Sequence, residues 1–215
     1  NFYPLPTKNG KNNFRVTFNI KVETPEKLNV VSQGEKLSDF VKNGNRTVVW
    51  RENKPQEEII LIADHYQVFT ARHQAISLYA YLLHNDKALA EKYFTATRSY
   101  IDLYSKLIAP YPYKKFALVE NSKQTGYGMP SFTLLGSRII RFPFILQTSY
   151  PHEVLHNWFG NGVYIRPDSG NWAEGLTTYL ADHLLSEQRG TGAQYRLQEL
   201  MKYSNYVNEK NDFPL

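Results

Sequence analysis

The chain has 215 residues, 42% hydrophobic and 21% charged, a balance ordinary for a globular protein with room for one large domain or two small ones. The formal net charge of +5 is spread over scattered Lys and Arg with no basic run, which excludes a nucleic-acid arm and leaves no nucleic-acid partner expected. There is no cysteine, which excludes disulfides, thiolate metal ligands and cysteine nucleophiles, so any metal must be held by His, Asp or Glu.

The opening residues, NFYPLPTKNG, lack the basic-then-apolar order of a secretory leader, and no apolar run approaches the roughly 20 residues of a membrane span. The chain begins without Met and stops at NDFPL, so it reads as a piece whose C-terminal remainder lies beyond Leu215. The compartment stays open, an extracytoplasmic one included.

FRVTFNIKV, residues 14 to 22, sets Phe14, Val16, Phe18, Ile20 and Val22 at period two, the pattern of a strand with one buried face. TVVW (47 to 50) and EIILIA (58 to 63) read as further strands, separated by turn signals such as NGN at 43 to 45. A β module over 1–66 is expected, joined near residues 64 to 71 to a second module over 67–215. Residues 72 to 84 are predicted helical. A second helix from Lys87 to Ile108 carries Leu89, Tyr93, Ala96, Tyr100, Tyr104 and Leu107 at helical spacing, and Pro110 stops it. Its tyrosines are a packing stripe rather than a cofactor box. FALVE, SFTLL and SRIIRF, between 116 and 142, return to strand character. Helices are predicted again from Ser149, from Asn171 and after Thr191.

PHEVLHNWFG, residues 151 to 160, carries the chemistry. Positions four apart share a helix face, so His152 and His156 can address one ion. Thr148 or Ser149 can cap this helix, Pro151 is tolerated in its first turn and Gly160 can end it. Glu153 projects about 100° round from His152. That placement leaves it free to take a proton from metal-bound water, the division of labour in HExxH. Catalytic zinc commonly keeps three protein ligands and one open position. A third histidine at HExxHxxGxxH is ruled out, because Phe159 and Gly162 occupy the required positions. The remaining donors downstream are Asp168, Glu174, Asp182 and His183. Glu174 is favoured, since Asp168 or Ser169 can cap a new helix with Glu174 in its first turn. Asp182, eight residues on, returns to a similar face and can orient a zinc-bound histidine. His65, His73 and His84 lack ligand spacing and read as surface or packing residues.

HEVLHNWFGN followed by NWAEGLTTYL resembles the gluzincin metallopeptidases of the aminopeptidase N type, whose signature is HExxH and then a second helix bearing W-x-x-E-G. FYPLP, VSQGE at 31 to 35, IILIADHYQVF and APYPYKKFALVE at 109 to 120 extend the likeness over nearly the whole chain. The resemblance implies an α+β chain: the end of an N-terminal β-sandwich-like domain, then a thermolysin-like catalytic domain truncated at its C-terminus. It implies one zinc per chain on His152, His156 and Glu174, with Glu153 as base and a peptide as substrate. Three departures stand out. The gap from His156 to Glu174 is one residue shorter than the family's. The family's G-x-M-E-N strand aligns with TGYGMPSF, where Pro130 and Ser131 replace the amine-gripping Glu and the Asn. Gly126, Tyr127, Gly128 and Met129 would still offer an edge for an extended peptide. The family's oxyanion-stabilising tyrosine would fall beyond Leu215, and neither Tyr203 nor Tyr206 is assigned that role. The lost anchor also admits a second reading, a zinc- or peptide-binding module without turnover.

Overall fold

The computed structural model describes Tyr3 and residues 14–166, 168–208 and 210–212. The FYPLP match therefore lies outside the described residues except for Tyr3, as does the chain end at 213–215.

The first strands are β1 (Val16–Pro25), β2 (Asn29–Ser32), β3 (Glu35–Lys42), β4 (Asn45–Gln56) and β5 (Leu61–Asp64). They form a three-stranded antiparallel sheet in the order β1-β4-β3 and a two-stranded β2-β5 ladder. A five-stranded sheet follows, built from β6 (Gln67–His73), β7 (Ile76–Leu82), β8 (Lys115–Asn121), β9 (Gly126–Met129) and β10 (Phe132–Gly136) in the order β6-β7-β8-β10-β9. Its centre is parallel, β7 to β8 and β8 to β10, and both margins are antiparallel hairpins. That order leaves β9 at the rim.

Residues 72 to 84, predicted as helix, form instead most of the β6–β7 hairpin. The run ISLYAYL is buried on both faces, and such a strand reads as continuous apolar sequence with no alternation to reveal it. The turn between the strands uses Gln74 at φ 52°, a residue that carries no turn signal. SRIIRF, predicted as strand, is also different: Ile139–Arg141 forms a 3-10 turn with only Ile140 buried, and Pro143 holds Phe142 extended.

Period two in the sheet sorts its side chains into two cores. On one face Leu78, Ala80, Phe116, Leu118 and Leu135 meet helix α1 (Lys87–Leu107) and helix α2 (Ser149–Leu155). On the other, Tyr81, Ala117, Val119 and Phe132 pack with Val30, Val31, Val48 and Trp50 from the first strands. Asp86 caps α1 by accepting from the Leu89 N–H at 2.9 Å. The tyrosine stripe packs as expected, with Tyr93 and Tyr104 buried. Tyr93 and Tyr100 donate to the carbonyls of Ile140 and Leu146, and Thr97 and Tyr150 set their hydroxyls 2.5 Å apart, so α1 grips the segment leading into α2.

After α2 come α3 (Trp172–Thr177), a π-helical turn (Thr178–His183), α4 (Leu184–Gln188) and α5 (Gly192–Tyr206). No described helix is long and apolar enough to cross a membrane.

Candidate metal centre

α2 presents His152 in its last full turn and ends with His156 as its C-terminal cap, still in right-handed helical conformation. The His156 N–H donates to the His152 carbonyl at 3.2 Å, so the four-residue spacing keeps both rings on one side. Thr148 occupies the N-cap position, but its hydroxyl donates back to the Phe144 carbonyl instead of capping. On the facing helix Asn171, not Asp168 or Ser169, holds the N-cap position, and Glu174 lies in the first turn.

The two helices bring His152, His156 and Glu174 together, with one ligand atom of each inside a mutual distance of 4.8 Å. Glu174 places Oε2 3.3 Å from His152 Nε2 and Oε1 3.3 Å from His156 Nε2. Ligand bonds of 2.0 to 2.1 Å at tetrahedral angles separate neighbouring ligands by about 3.3 Å, so these spacings fit zinc. The donor set also suits it, two imidazoles and one carboxylate with no cysteine. Asp168 is exposed at some remove in the chain, and His183 is engaged elsewhere, with Glu187 at 3.2 Å and Arg196 at 2.9 Å.

Each imidazole has its other nitrogen occupied. Asp182 Oδ2 lies 2.9 Å from His152 Nδ1, and the Phe159 carbonyl lies 3.1 Å from His156 Nδ1. Both partners can only accept, so both Nδ1 atoms donate and both Nε2 lone pairs face Glu174. The π turn explains how Asp182 reaches. Eight residues of regular α-helix leave a side chain about 80° out of phase. A turn with an extra residue retards the rotation and brings Asp182 back toward the face that carries Glu174.

Burial pushes the Glu153 carboxyl up to about 7; His152 opposes the rise, and Glu174 and Asp182 add to it. A carboxyl poised there can both accept and return a proton near neutrality. His156 is lowered by burial against the pull of Glu174. For His152 burial also acts downward, but the hydrogen bond and charge of Asp182, with Glu153 and Glu174, leave it above its usual value.

These groups form one wall of a cleft of about 410 Å³. Gly126, Tyr127 and Gly128 of β9 form the opposite wall, while Met129 points into the core shared with the first strands. A Cβ added at Gly128 would stand 2.7 Å from Glu153 Oε2 and 3.0 Å from His156 Cβ, so glycine here lets the backbone pass while Glu153 keeps its position. The Gly136 N–H bonds to the Thr125 carbonyl, and the antiparallel alternation from that pair turns the polar groups of Gly126 and Gly128 away from β10. One of them, the Gly128 carbonyl, accepts from Asn161 Nδ2 at 3.0 Å.

Asn157, Asn161 and Ser131 make contacts to the strand wall that the residue order does not announce. Asn157 Oδ1 accepts the Ser131 N–H at 2.8 Å, in the turn that joins β9 to β10. The sequence offers only an asparagine directly after the second motif histidine; that it is fully buried, and so must be partnered, comes from the structure. Tyr203 and Tyr206 are exposed on α5.

No protein-family model matches the sequence, and no curated protein matches it. Solved structures do. A mutant of the M1 zinc metallopeptidase from Deinococcus radiodurans matches with a TM-score of 0.72 at 18% identity, over 90% of this chain and 46% of that one. A structure of the M1 zinc metallopeptidase from the same organism gives 0.71 at 19%, over the same shares. The mutant bound to a Tyr-Ser-Ala substrate gives 0.66 at 18%, over 88% and 45%. The chain spans a little under half the length of the structures it matches. At this identity the likeness establishes the fold: nine-tenths of the chain follows the mixed sheet-and-helix framework seen in those metallopeptidases.

Proposed function

We propose that this chain carries the zinc site of a peptidase of the gluzincin, aminopeptidase N-like type, hydrolysing peptide bonds. Residues 67–215 would be part of its thermolysin-like domain and 1–66 the end of a β-sandwich-like one. The observation that carries the reading is the convergence of His152, His156 and Glu174 within 4.8 Å, with Glu153 beside them on the same cleft wall. These three would hold one zinc, which when bound polarises a substrate carbonyl and acidifies water.

The chain's own residues supply the rest. The Glu153 carboxylate removes a proton from the attacking water and delivers it to the departing amine. Asp182 and the Phe159 carbonyl fix which imidazole nitrogens face the ion. An extended peptide would lie against β9, whose outward-turned backbone groups offer strand-like pairing. The Deinococcus mutant bound to Tyr-Ser-Ala supports a short peptide as the substrate class. Pro130 stands where the resemblance implies an amine-gripping carboxylate, and Glu153 and Glu174 are the only carboxylates among the described residues lining the cleft. Cleavage therefore need not require a free amino terminus.

The test is zinc content together with cleavage of free and amino-blocked peptides, beside Glu153→Gln. The expected result is one zinc per chain in both proteins and a fall in kcat of about 10² to 10⁴ in the variant. Stoichiometric zinc with no cleavage of either peptide would replace the peptidase by a binding module.

A further inference from the structure

We propose that Ser131, held by Lys115 and Asn157, is a positioning residue that sets the register of β9 against Glu153; this rests on the peptidase reading. Ser131 sits in the β9–β10 turn at φ 67° with 0% of its surface exposed, a left-handed conformation that a non-glycine residue adopts under constraint. The constraint comes from three elements besides its own hairpin. Its N–H donates to Asn157 Oδ1 at 2.8 Å, tying the turn to the residue after His156. Its Oγ accepts from the Gly34 N–H at 3.1 Å, tying it to the turn between β2 and β3. Its Oγ and carbonyl both accept from Lys115 Nζ, at 2.7 and 3.1 Å, at the start of β8.

Lys115 is the costly member of this node. It is 1% exposed, and its ammonium lies between the rings of Trp50 and Phe132 at 5.3 and 5.2 Å. Burial lowers its pKa to about 7, against the opposing charge of Glu52. A buried cation directed at a strained turn is expensive, and packing alone would be served better by an apolar side chain. What the node gains is location. Ser131 is three residues from Gly128, whose backbone passes so close to Glu153 that a methyl group there would displace the carboxylate. Asn157 and Asn161, from the segment after α2, grip the two ends of the same stretch, at Ser131 and at Gly128. A peptide paired with β9 inherits its register, so a small slip of the turn would misplace the scissile carbonyl relative to Glu153, where displacements near 1 Å can cost about 10² in rate.

Two substitutions separate positioning from mere folding. Ser131→Gly removes Oγ while relieving the backbone strain, and Lys115→Met removes the ammonium while keeping the stem. Both are expected to keep one zinc per chain and the wild-type near-UV circular dichroism, to lower kcat for an amino-blocked peptide by about tenfold or more, and to leave KM within about twofold. Amide hydrogen exchange in residues 126 to 129 should speed up in both variants by about tenfold or more. Unchanged kcat with unchanged exchange overturns the proposal. So does a loss of rate that only follows a loss of zinc or of folded protein, which would make the node structural. If the wild-type protein binds zinc and cleaves nothing, the peptidase reading falls by itself; faster exchange at 126 to 129 then upholds the node, and unchanged exchange overturns it.

Discussion

The two walls of the cleft are built on opposite principles. The helical wall acts through side chains: His152, Glu153, His156 and Glu174 project from two short helices, Glu174 stands 3.3 Å from both imidazoles, and Asp182 in the π turn backs His152 at 2.9 Å. The strand wall acts through what it lacks, since Gly126 and Gly128 present bare backbone that comes within a methyl group's reach of Glu153. Chemistry lies on one side and placement on the other. A substitution on the helical wall should remove a chemical capacity, whereas one on the strand wall should leave the capacity intact and spoil its aim.

The largest break belongs to the helical wall. Glu174→Ala removes the only carboxylate among the described residues that bridges toward both imidazoles, leaving two protein ligands where three are needed. Zinc measured after dialysis is expected to fall from one per chain to a trace, with cleavage falling to background. Zinc retained at full stoichiometry would mean that another group completes the site. The strand wall should fail differently. Gly128→Ala sets a methyl group 2.7 Å from Glu153 Oε2, and the carboxylate must swing away because the His156 Cβ blocks the other side at 3.0 Å. Zinc content should stay at one per chain while kcat falls by about 10². Equal losses of zinc and rate would show that the walls are not separable.

The same division governs what the sequence discloses. His152, Glu153 and His156 are legible because side-chain chemistry and helical spacing are both written in the residue order. Glu174 follows from the need for a third ligand in the first turn of a second helix. Asp182 is legible as an orienting partner for a zinc-bound histidine, but not which histidine or by what path, because the π turn that swings it onto His152 Nδ1 has no residue signature in TYLADH. The strand wall was half legible: an edge could be placed at Gly126 to Met129, but its distance to Glu153 could not. The fixings of that edge were hidden altogether. Ser131 takes a left-handed conformation without glycine or asparagine to announce it, and Lys115 is buried where a lysine at a strand start normally faces water. The β6–β7 hairpin was missed for a related reason, being apolar on both faces with Gln74 at its turn.

Asp182→Asn sharpens the comparison at a smaller scale. Asparagine keeps the size of the side chain but gives up the charge that holds the His152 Nδ1–H at 2.9 Å. Loss of such an orienting partner typically costs about 10- to 100-fold in metal affinity or activity. Zinc affinity measured by competition with a chelator should weaken within that range. The pKa of His152 in the metal-free protein should also fall, because Asp182 is the main influence raising it. An unchanged affinity would remove Asp182 from the site.

The smallest effect tests the anchoring of the strand wall through stability. Burial holds the Lys115 ammonium at a pKa of about 7 in the folded chain, against 10.5 for an ordinary lysine. Between those values the unfolded chain binds a proton that the folded chain does not, so unfolding free energy rises with pH. The destabilisation is fully present below about pH 7 and fades as pH climbs toward 10.5. The expected slope is on the order of 1 kcal/mol per pH unit between pH 8 and pH 9.5. Buried tyrosines such as Tyr93 and Tyr104 are raised by desolvation and act in the opposite direction once unfolded tyrosines ionise near 10, so the useful window closes there. Denaturant midpoints of the wild-type protein and Lys115→Met, measured across that window, cancel the tyrosine contribution and isolate the lysine. The difference curve should favour the methionine variant most at pH 7 and shrink as pH rises. A flat difference would show that Lys115 keeps its proton when buried, and that Ser131 is held by a permanent ammonium whose grip on β9 does not change with pH.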